Sequence, residues 1–236
     1  MILSKISQLL PSKLKYLHAK IFGTYSTASY SQEGEDIVLK RIFNQKKIGF
    51  YVDVGAHHPI RFSNTYTFYQ QGWTGINIEP NPDSFSMFKK YRAKDINVNC
   101  GVATEKGSFN YYMFDESALN TFDNEVLKSR IANTSYNHIK TLNVKVLPLT
   151  EVFRLYLPKD KKIDFLTVDV EGLDLQVLKS NDWVKYRPSW VLAEQLELDN
   201  IENLSFEIHV YMKSQNYILF AKTFNTLFYK DKSVLL

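Results

Sequence analysis

The sequence is poor in cysteine and has no long apolar run, and both absences limit what the protein can be. Cys100 is the single cysteine among 236 residues, which excludes an internal disulfide and any zinc site built from several cysteines. No stretch approaches the roughly 20 consecutive apolar residues that span a bilayer, and the N-terminus lacks the apolar core of a signal peptide. We therefore expect a cytoplasmic enzyme or binding protein.

Most of the chain also lacks an excess of either charge. The net charge of +4 comes from residues 1–32, which contain four lysines and no acidic residue, whereas the remainder carries 25 basic and 25 acidic side chains. A neutral body gives no support for nucleic-acid binding. In the basic arm, residues 1–29, apolar residues recur at helical spacing on either side of Pro11. We expect this arm to pack on the domain or to contact the inner face of a membrane.

Residues 30–236 alternate between strand and helix patterns without a linker or repeat, which predicts one domain. Continuous apolar runs such as "GFYVDVG" and "KIDFLTVDVEG" are typical of parallel strands that are covered on both faces. The alternation predicts an α/β doubly wound sheet with helices on both faces. The stretch "YILFAKTFNTLFYKD" predicts a closing pair of strands.

Local signals indicate where several elements begin and end. Ser63 as N-cap and Gly72 as stop predict a helix in "SNTYTFYQQGW", and Pro82 predicts the first turn of another helix. In "SQEGEDIVLKRIF" the polar turn at Ser31 predicts a capped helix. The stretch "INVNCGVAT" predicts a single strand, and a polar segment follows between the next two strand patterns.

Four polar residues fall at or near the ends of predicted strands, namely Asp53, Glu79, Asn99 and Asp169. Ligands of doubly wound sheets bind beyond the carboxyl ends of the strands, where the strand order reverses. One acidic residue at such a position often only caps a helix or faces water. Four such positions at one edge indicate a binding site.

The loop "GAHHPIRFSNT" distinguishes two classes of nucleotide-like ligand. A dinucleotide needs a glycine-rich turn, so that its pyrophosphate can approach a helix N-terminus. This loop has one glycine, a proline and two histidines, which makes it a poor pyrophosphate site. S-adenosylmethionine carries no phosphate, and Glu79 is placed to accept hydrogen bonds from its ribose hydroxyls. The loop therefore favours S-adenosylmethionine.

Five motifs in order, "SQEGEDIVL", "YVDVGAHHP", "SNTYTFY", "GWTGINIEPNP" and "LTVDVEGLDLQVL", resemble the FkbM-type S-adenosylmethionine-dependent methyltransferases over roughly residues 30–195. The resemblance implies a class I methyltransferase fold, which is Rossmann-like, with a seven-stranded mixed sheet and a C-terminal antiparallel hairpin. It also implies methyl transfer, commonly to a hydroxyl of a sugar or natural product.

The resemblance implies a role for several residues of this chain. It places Asp53, Gly55 and Ala56 near the methionine moiety of the cofactor, and Gln32 above it as part of a lid. It places Glu79 at the ribose. The cofactor-binding residues that it implies are Gln32, Asp53, Gly55, Ala56, His57, Asn64, Glu79, Pro80, Asn81, Gly101 and Val102.

Methyl transfer to oxygen requires a group that helps to remove the proton of the acceptor hydroxyl. The candidates are His58, Asp169 and Glu171, although Asp169 could instead bind the ammonium group of the methyl donor. The same three side chains could ligate a divalent cation. Because no ligand spacing is diagnostic, we expect no metal. Acceptor specificity is expected in residues 105–145, which include "SALNTF".

The sequence predicts O-methylation of a small-molecule or glycan acceptor in capsule, lipopolysaccharide or other polysaccharide biosynthesis, or in secondary metabolism. N-methylation and the oligomeric state stay open. A nicotinamide-dependent enzyme is one alternative. A degenerate nucleoside-binding protein that acts as a membrane-surface scaffold through its basic arm is the other.

Overall fold

A computed structural model describes residue 14 and residues 26–195 and 205–234. The predicted basic arm lies outside the described residues, except for Leu14 and residues 26–29. The helices of the described chain are α1 (Glu35–Ile42), α2 (Tyr66–Gln70), α3 (Pro82–Tyr91), a 3₁₀ turn (Ser117–Leu119), α4 (Asn124–Asn133), α5 (Leu149–Tyr156), α6 (Asp174–Lys179) and α7 (Glu207–Ser214). The strands are β1 (Phe50–Val54), β2 (Thr74–Ile78), β3 (Ile96–Val98), β4 (Gly101–Val102), β5 (Gly107–Phe114), β6 (His138–Leu147), β7 (Phe165–Val168), β8 (Trp190–Glu194), β9 (Tyr217–Lys222) and β10 (Thr226–Asp231).

The main sheet has seven strands in the order β3-β2-β1-β7-β8-β10-β9. The first five of these run parallel, whereas β10 pairs antiparallel with both β8 and β9. The predicted doubly wound sheet and its C-terminal antiparallel hairpin are therefore confirmed. The order reverses between β1 and β7, so the carboxyl ends of these two strands flank the crevice in which such folds bind ligands.

Apolar side chains cover the sheet on both faces. One face packs residues such as Val52, Leu166 and Val191 under α5, α6 and α7. The other face packs Tyr51 and Phe165 against α1 and α2, around the buried indole of Trp73. Burial on both faces explains why the central strands read as continuous apolar runs.

A second, three-stranded sheet in the order β4-β6-β5 lies beside the main one. The single strand predicted from "INVNCGVAT" is wrong, because Asn99 and Cys100 separate β3 in the main sheet from β4 in the second sheet. The polar segment between β5 and β6 contains the 3₁₀ turn and α4, neither of which was predicted. Helix α4 has no buried residue, so it carries no apolar periodicity that a sequence pattern could reveal.

One helix start differs from the prediction. Ser63 lies two residues before the Thr65 N-cap of α2, and its hydroxyl accepts hydrogen bonds from the amides of Thr65 and Tyr66. Helix α1 begins after Gly34, which has φ 88°, and the Ser31 hydroxyl accepts a hydrogen bond from the amide of Asp36 in its first turn at 3.2 Å. Pro82 does begin α3, behind an Asn81 N-cap that accepts from the amide of Asp83 at 3.0 Å. None of the described helices has the length and apolar character to cross a bilayer.

Candidate active site

A pocket lies at the carboxyl ends of β1, β2 and β7, next to the point where the strand order reverses. Its lining includes the apolar side chains of Val54, Ile78 and Val102 and the carboxyl groups of Asp169 and Glu171. The predicted site residues that line it are Gln32, Gly55, His57, Glu79, Pro80, Asn81, Gly101, Val102, Asp169 and Glu171.

Glu79 stands at the end of β2 with its side chain only 3% exposed. Its two carboxylate oxygens accept hydrogen bonds from the amides of His57 and Asn81, each at 2.7 Å. The Asn99 amide holds the backbone of this turn through the carbonyl oxygens of Glu79 and Pro80. Burial raises the pKa of Glu79 to about 8, although the two backbone hydrogen bonds oppose the rise. Each oxygen keeps a lone pair with which it can accept from a ligand.

The turn after β1 brings the backbone close to the end of β7. A Cβ atom at Gly55, which has φ 78°, would lie 1.8 Å from the carbonyl oxygen of Asp169, so only glycine fits there. His57 also has a positive φ of 52°. Burial and the nearby Arg61 guanidinium lower the pKa of His57 to about 4, which keeps the ring neutral. Its buried Nε2 has no hydrogen-bond partner among the described residues and is available to a ligand.

Asp53 and Ala56 do not line the pocket, although they belong to the same strand and turn. The Asp53 carboxylate lies on the opposite face of the sheet from Val54, where it accepts a hydrogen bond from the hydroxyl of Thr65 at 2.8 Å. Burial raises the pKa of Asp53 to about 6 against the effect of this hydrogen bond. Ala56 donates its amide to the carbonyl oxygen of Ile78 at 3.2 Å. Both residues therefore stabilise the turn after β1 without lining the pocket.

His58 and Asn64 also lie outside the pocket lining. The Nδ1 atom of His58 accepts hydrogen bonds from the amides of Ile60 and Arg61 at 3.0 and 2.9 Å, so it stabilises its own loop. The Asn64 amide donates to the hydroxyl of Thr167 on β7 at 3.0 Å. The structure thus brings Asp169 and Glu171 together but leaves the third candidate base, His58, apart from them.

No role was predicted for Arg92, yet its side chain stabilises the loop after β1 from the face of the sheet that carries Tyr51. Its side chain is fully buried and forms an ion pair with Asp95, with Nε 2.9 Å from Oδ2. The other guanidinium nitrogens donate to the carbonyl oxygen of Pro59 and to the hydroxyls of Tyr51 and Thr65 at 2.7–3.1 Å. Arg92 directly follows α3, whose last turn carries the exposed Lys89 and Lys90. The sequence alone therefore suggests a solvent-exposed residue at the end of a helix.

Three carboxylates, Asp169, Glu171 and Glu194, form a cluster that we call the carboxylate triad. One oxygen from each lies within 4.8 Å of the others. Burial and the Glu171 carboxylate raise the pKa of Glu194 to about 8. Enclosure by protein atoms and Glu194 raise the pKa of Asp169 well above its usual value, although the side chain reaches solvent through the pocket. Arg130 forms an ion pair with Glu171.

Glu194 was missed in the sequence, although it ends β8 and the rule that selected Glu79 and Asp169 applies to it equally. Asp174 at the start of α6 was missed too. Its side chain is 3% exposed, and burial, with the Asp169 charge, raises its pKa well above the usual range. Its Oδ1 has no hydrogen-bond partner among the described residues.

Residues 115–137 pass over the pocket, and we call this segment the cover. Ser117, Ala118, Asn120 and Phe122 of the cover, which belong to "SALNTF", line the pocket, and their contact with an acceptor stays a prediction. An ion pair between Arg61 and Glu116, with Nη–Oε distances of 3.0 and 3.1 Å, ties one side of the cover to the loop after β1.

The other side of the cover is tied to the carboxylate triad. Arg130 of α4 bonds both Glu171 and the carbonyl oxygen of Leu119. The hydroxyl of Thr121 donates to the carbonyl oxygen of Glu171 at 3.1 Å. The cover therefore contacts both the loop after β1 and the acidic side of the pocket.

A parallel sheet of this strand order, with a closing antiparallel hairpin and a pocket at the ends of β1 and β2, defines a Rossmann-like methyltransferase fold. The family model for the methyltransferase FkbM domain matches residues 53–219, which is more than half of the chain. The protein therefore belongs to the FkbM methyltransferase family, as its motifs predicted. No curated protein matches the chain significantly.

Proposed function

We propose that this methyltransferase uses S-adenosylmethionine to methylate a hydroxyl of a sugar, a glycan or another small molecule. The main support is the chemistry of the pocket. Its described lining contains the carboxyl groups of Glu79, Asp169 and Glu171 and no lysine or arginine. Such a lining offers acceptors to ribose hydroxyls and to an ammonium group, and it offers no basic side chain to the pyrophosphate of a nicotinamide dinucleotide.

The residues present fit the proposed donor. Glu79 would accept hydrogen bonds from the ribose hydroxyls, and the apolar side formed by Ile78 and Val102 would contact the adenine. The free Nε2 of His57 offers one further polar contact on the pocket wall. Asp169 and Glu171 would face the ammonium and sulfonium end.

When bound, the donor supplies an electrophilic methyl group on sulfur. The chain must hold the acceptor oxygen in line with that group and accept the proton that the oxygen loses. Asp169 is the proposed base, because it lines the pocket beside the proposed methyl donor and no basic side chain is paired with it among the described residues. Glu171 is less suited because Arg130 occupies it, and the Nδ1 of His58 is occupied by backbone amides.

The proposed acceptor binds under the cover, next to Asp169. Ser117 and Asn120 offer hydroxyl and amide groups to an acceptor rich in hydroxyls, and Phe122 offers a flat apolar surface. A sugar or glycan of polysaccharide biosynthesis in the cytoplasm fits these groups. A secondary metabolite with free hydroxyls carries the same chemistry.

The first test is calorimetric titration of the full chain with S-adenosylhomocysteine and, separately, with NAD. We expect binding of the first and none of the second. Absence of S-adenosylhomocysteine binding at millimolar concentration would refute the donor assignment. A donor-consumption assay with sugars and nucleotide-linked sugars would then identify the acceptor. The scaffold alternative predicts donor binding without turnover of any acceptor.

A further inference from the structure

The spacing of the carboxylate triad matches that of ligands around one metal ion. Oxygens on opposite sides of a hard divalent cation are about 4–5 Å apart, since each lies about 2.0–2.5 Å from the ion. One oxygen each from Asp169, Glu171 and Glu194 lies within 4.8 Å of the other two. A cation placed among them would need little movement of the side chains.

The backbone is bent in a way that brings two of these ligands to the same place. Glu171 has φ 56° and Gly172 has φ 107°. A left-handed conformation at a residue other than glycine costs free energy, and such residues cluster at functional sites. This turn directs Asp169 and Glu171 toward Glu194 at the end of the neighbouring strand β8.

Two carboxyl oxygens, one in the triad and one on a neighbouring residue, have no hydrogen-bond partner among the described residues. One is the enclosed Oε2 of Glu194, and the other is Oδ1 of Asp174, on a side chain that is 97% buried. Among charged groups, Asp169 acts most strongly on the Asp174 carboxyl, and Glu171 also acts on it. A buried carboxyl oxygen without a partner is costly, and a bound cation would supply such a partner.

A ligand in the main pocket does not explain the carboxyl groups of Glu194 and Asp174. Neither residue lines that pocket, and both line a second hollow with Gly172 and Glu207. Arg130 is the one basic side chain that pairs with the triad in the described part of the chain. One guanidinium cannot pair with all of these carboxyl groups, and oxygen ligands of this kind select a hard cation.

We propose that Asp169, Glu171 and Glu194 bind one divalent cation of the Mg²⁺ or Mn²⁺ class, with Asp174 as the neighbouring carboxylate that supports the site. Glu194 lies 23 residues beyond Glu171 in the sequence, so no short motif reveals the set. A cation at the triad would be adjacent to the main pocket, because its proposed ligand Asp169 also lines that pocket. Its use in lowering the pKa of an acceptor hydroxyl rests on the function proposed above, whereas the binding of the cation does not.

The test is a titration of the full chain with Mn²⁺ alone, after treatment with a chelator and its removal, with free Mn²⁺ followed by electron paramagnetic resonance. We expect about one ion per chain, displaced by Mg²⁺ and accompanied by a higher Tm. Glu194→Gln and Asp169→Asn should each weaken binding at least about tenfold. Glu151→Gln, an exposed acid paired with Arg154, should bind as the parent does.

Glu194→Gln removes a carboxyl group that neighbouring carboxylates repel when it is ionised. Without metal this variant should therefore melt at the same temperature as the parent or higher. Asp174→Asn is a second variant for which we expect the same result. No Mn²⁺ binding at 1 mM, or equal binding by the parent and both triad variants, overturns the proposal. A parallel titration with S-adenosylhomocysteine separates the two proposals. Donor binding without Mn²⁺ binding refutes only the cation site, and the reverse refutes only the donor.

Discussion

Buried acidic residues at the two ends of the parallel strands differ in their partners. We call the end where these strands begin the amino edge of the main sheet, and the end where they finish the carboxyl edge. At the amino edge, Asp164 accepts from the amide of Phe50 at 2.8 Å and pairs with Lys46. Asp231 accepts two hydrogen bonds from Arg187, at 2.7 and 2.8 Å. At the carboxyl edge, Glu79 and the carboxylate triad contact few cations. Partnered acids stabilise the fold, whereas acids left without cations are available to a ligand.

The pKa values follow this division. Although burial opposes it, hydrogen bonds from Arg187 lower the pKa of Asp231, whereas burial raises the pKa of both Glu79 and Glu194 to about 8. A lowered pKa adds stability above the unfolded value and loses it as the pH falls. A raised carboxyl pKa costs stability as the pH rises from the unfolded value of about 4.5 to about 8.

Removing an amino-edge acid should have the largest effect, and on stability alone. Asp231→Ala leaves the guanidinium of Arg187 and the amide of Ser233 without their partner. We expect the free energy of unfolding at pH 7 to fall by about 2–3 kcal/mol, measured by urea denaturation. The affinity for S-adenosylhomocysteine should not change below the melting temperature. A large loss of affinity would contradict the division between the edges.

Removing a carboxyl-edge acid should have the converse effect. Glu79→Ala is expected to weaken S-adenosylhomocysteine binding about 100-fold, which corresponds to about 2.7 kcal/mol, because the ribose hydroxyls lose their acceptor. Calorimetry measures this change. Urea denaturation of the same variant at pH 8 should show a smaller loss of stability than Asp231→Ala, because the lost hydrogen bonds from the amides of His57 and Asn81 are partly offset by removal of the buried carboxyl group. Unchanged affinity would remove Glu79 from the proposed site.

A smaller effect is expected from Glu194→Gln, which keeps the shape of the side chain and removes its charge. In the presence of a chelator, the free energy of unfolding at pH 8 should rise by about 1 kcal/mol because the repulsion within the triad is reduced. Below pH 4.5 the variant and the parent should be equally stable. Denaturation curves across this pH range would show the difference, and a variant less stable at pH 8 would contradict it.

The smallest expected effect is a release of protons when the donor product binds. At pH 7 most of the Glu79 carboxyl is protonated, given its pKa of about 8. Hydrogen bonds from the ribose hydroxyls would favour the ionised form of this carboxyl. Binding should release up to about one proton, so the affinity should rise with pH up to about 8. Calorimetry in buffers of different ionisation enthalpy measures this number. Glu79→Gln is the control and should release fewer protons.

Most of the main sheet could be predicted from the sequence, because burial on both faces leaves continuous apolar strands. That pattern places the strand ends at one edge, which is why Glu79 and Asp169 could be selected. Glu194 carried the same signal and was overlooked. Arg92 and Asp174 could not be found, since their burial depends on contacts between distant segments. Helix α4 of the cover has no fully buried residue, so its sequence lacks an apolar periodicity.

The cover and the floor of the pocket are held by forces that respond differently to dissolved salt. The ion pair of Arg61 and Glu116 has side chains 47% and 29% exposed, and at physiological ionic strength such charges are screened within about 8 Å. The floor beneath it is apolar packing around Val54 and Ile78, which sulfate strengthens. A rise in ionic strength therefore weakens the contact between the cover and the loop after β1, whereas the apolar packing beneath the cover is retained.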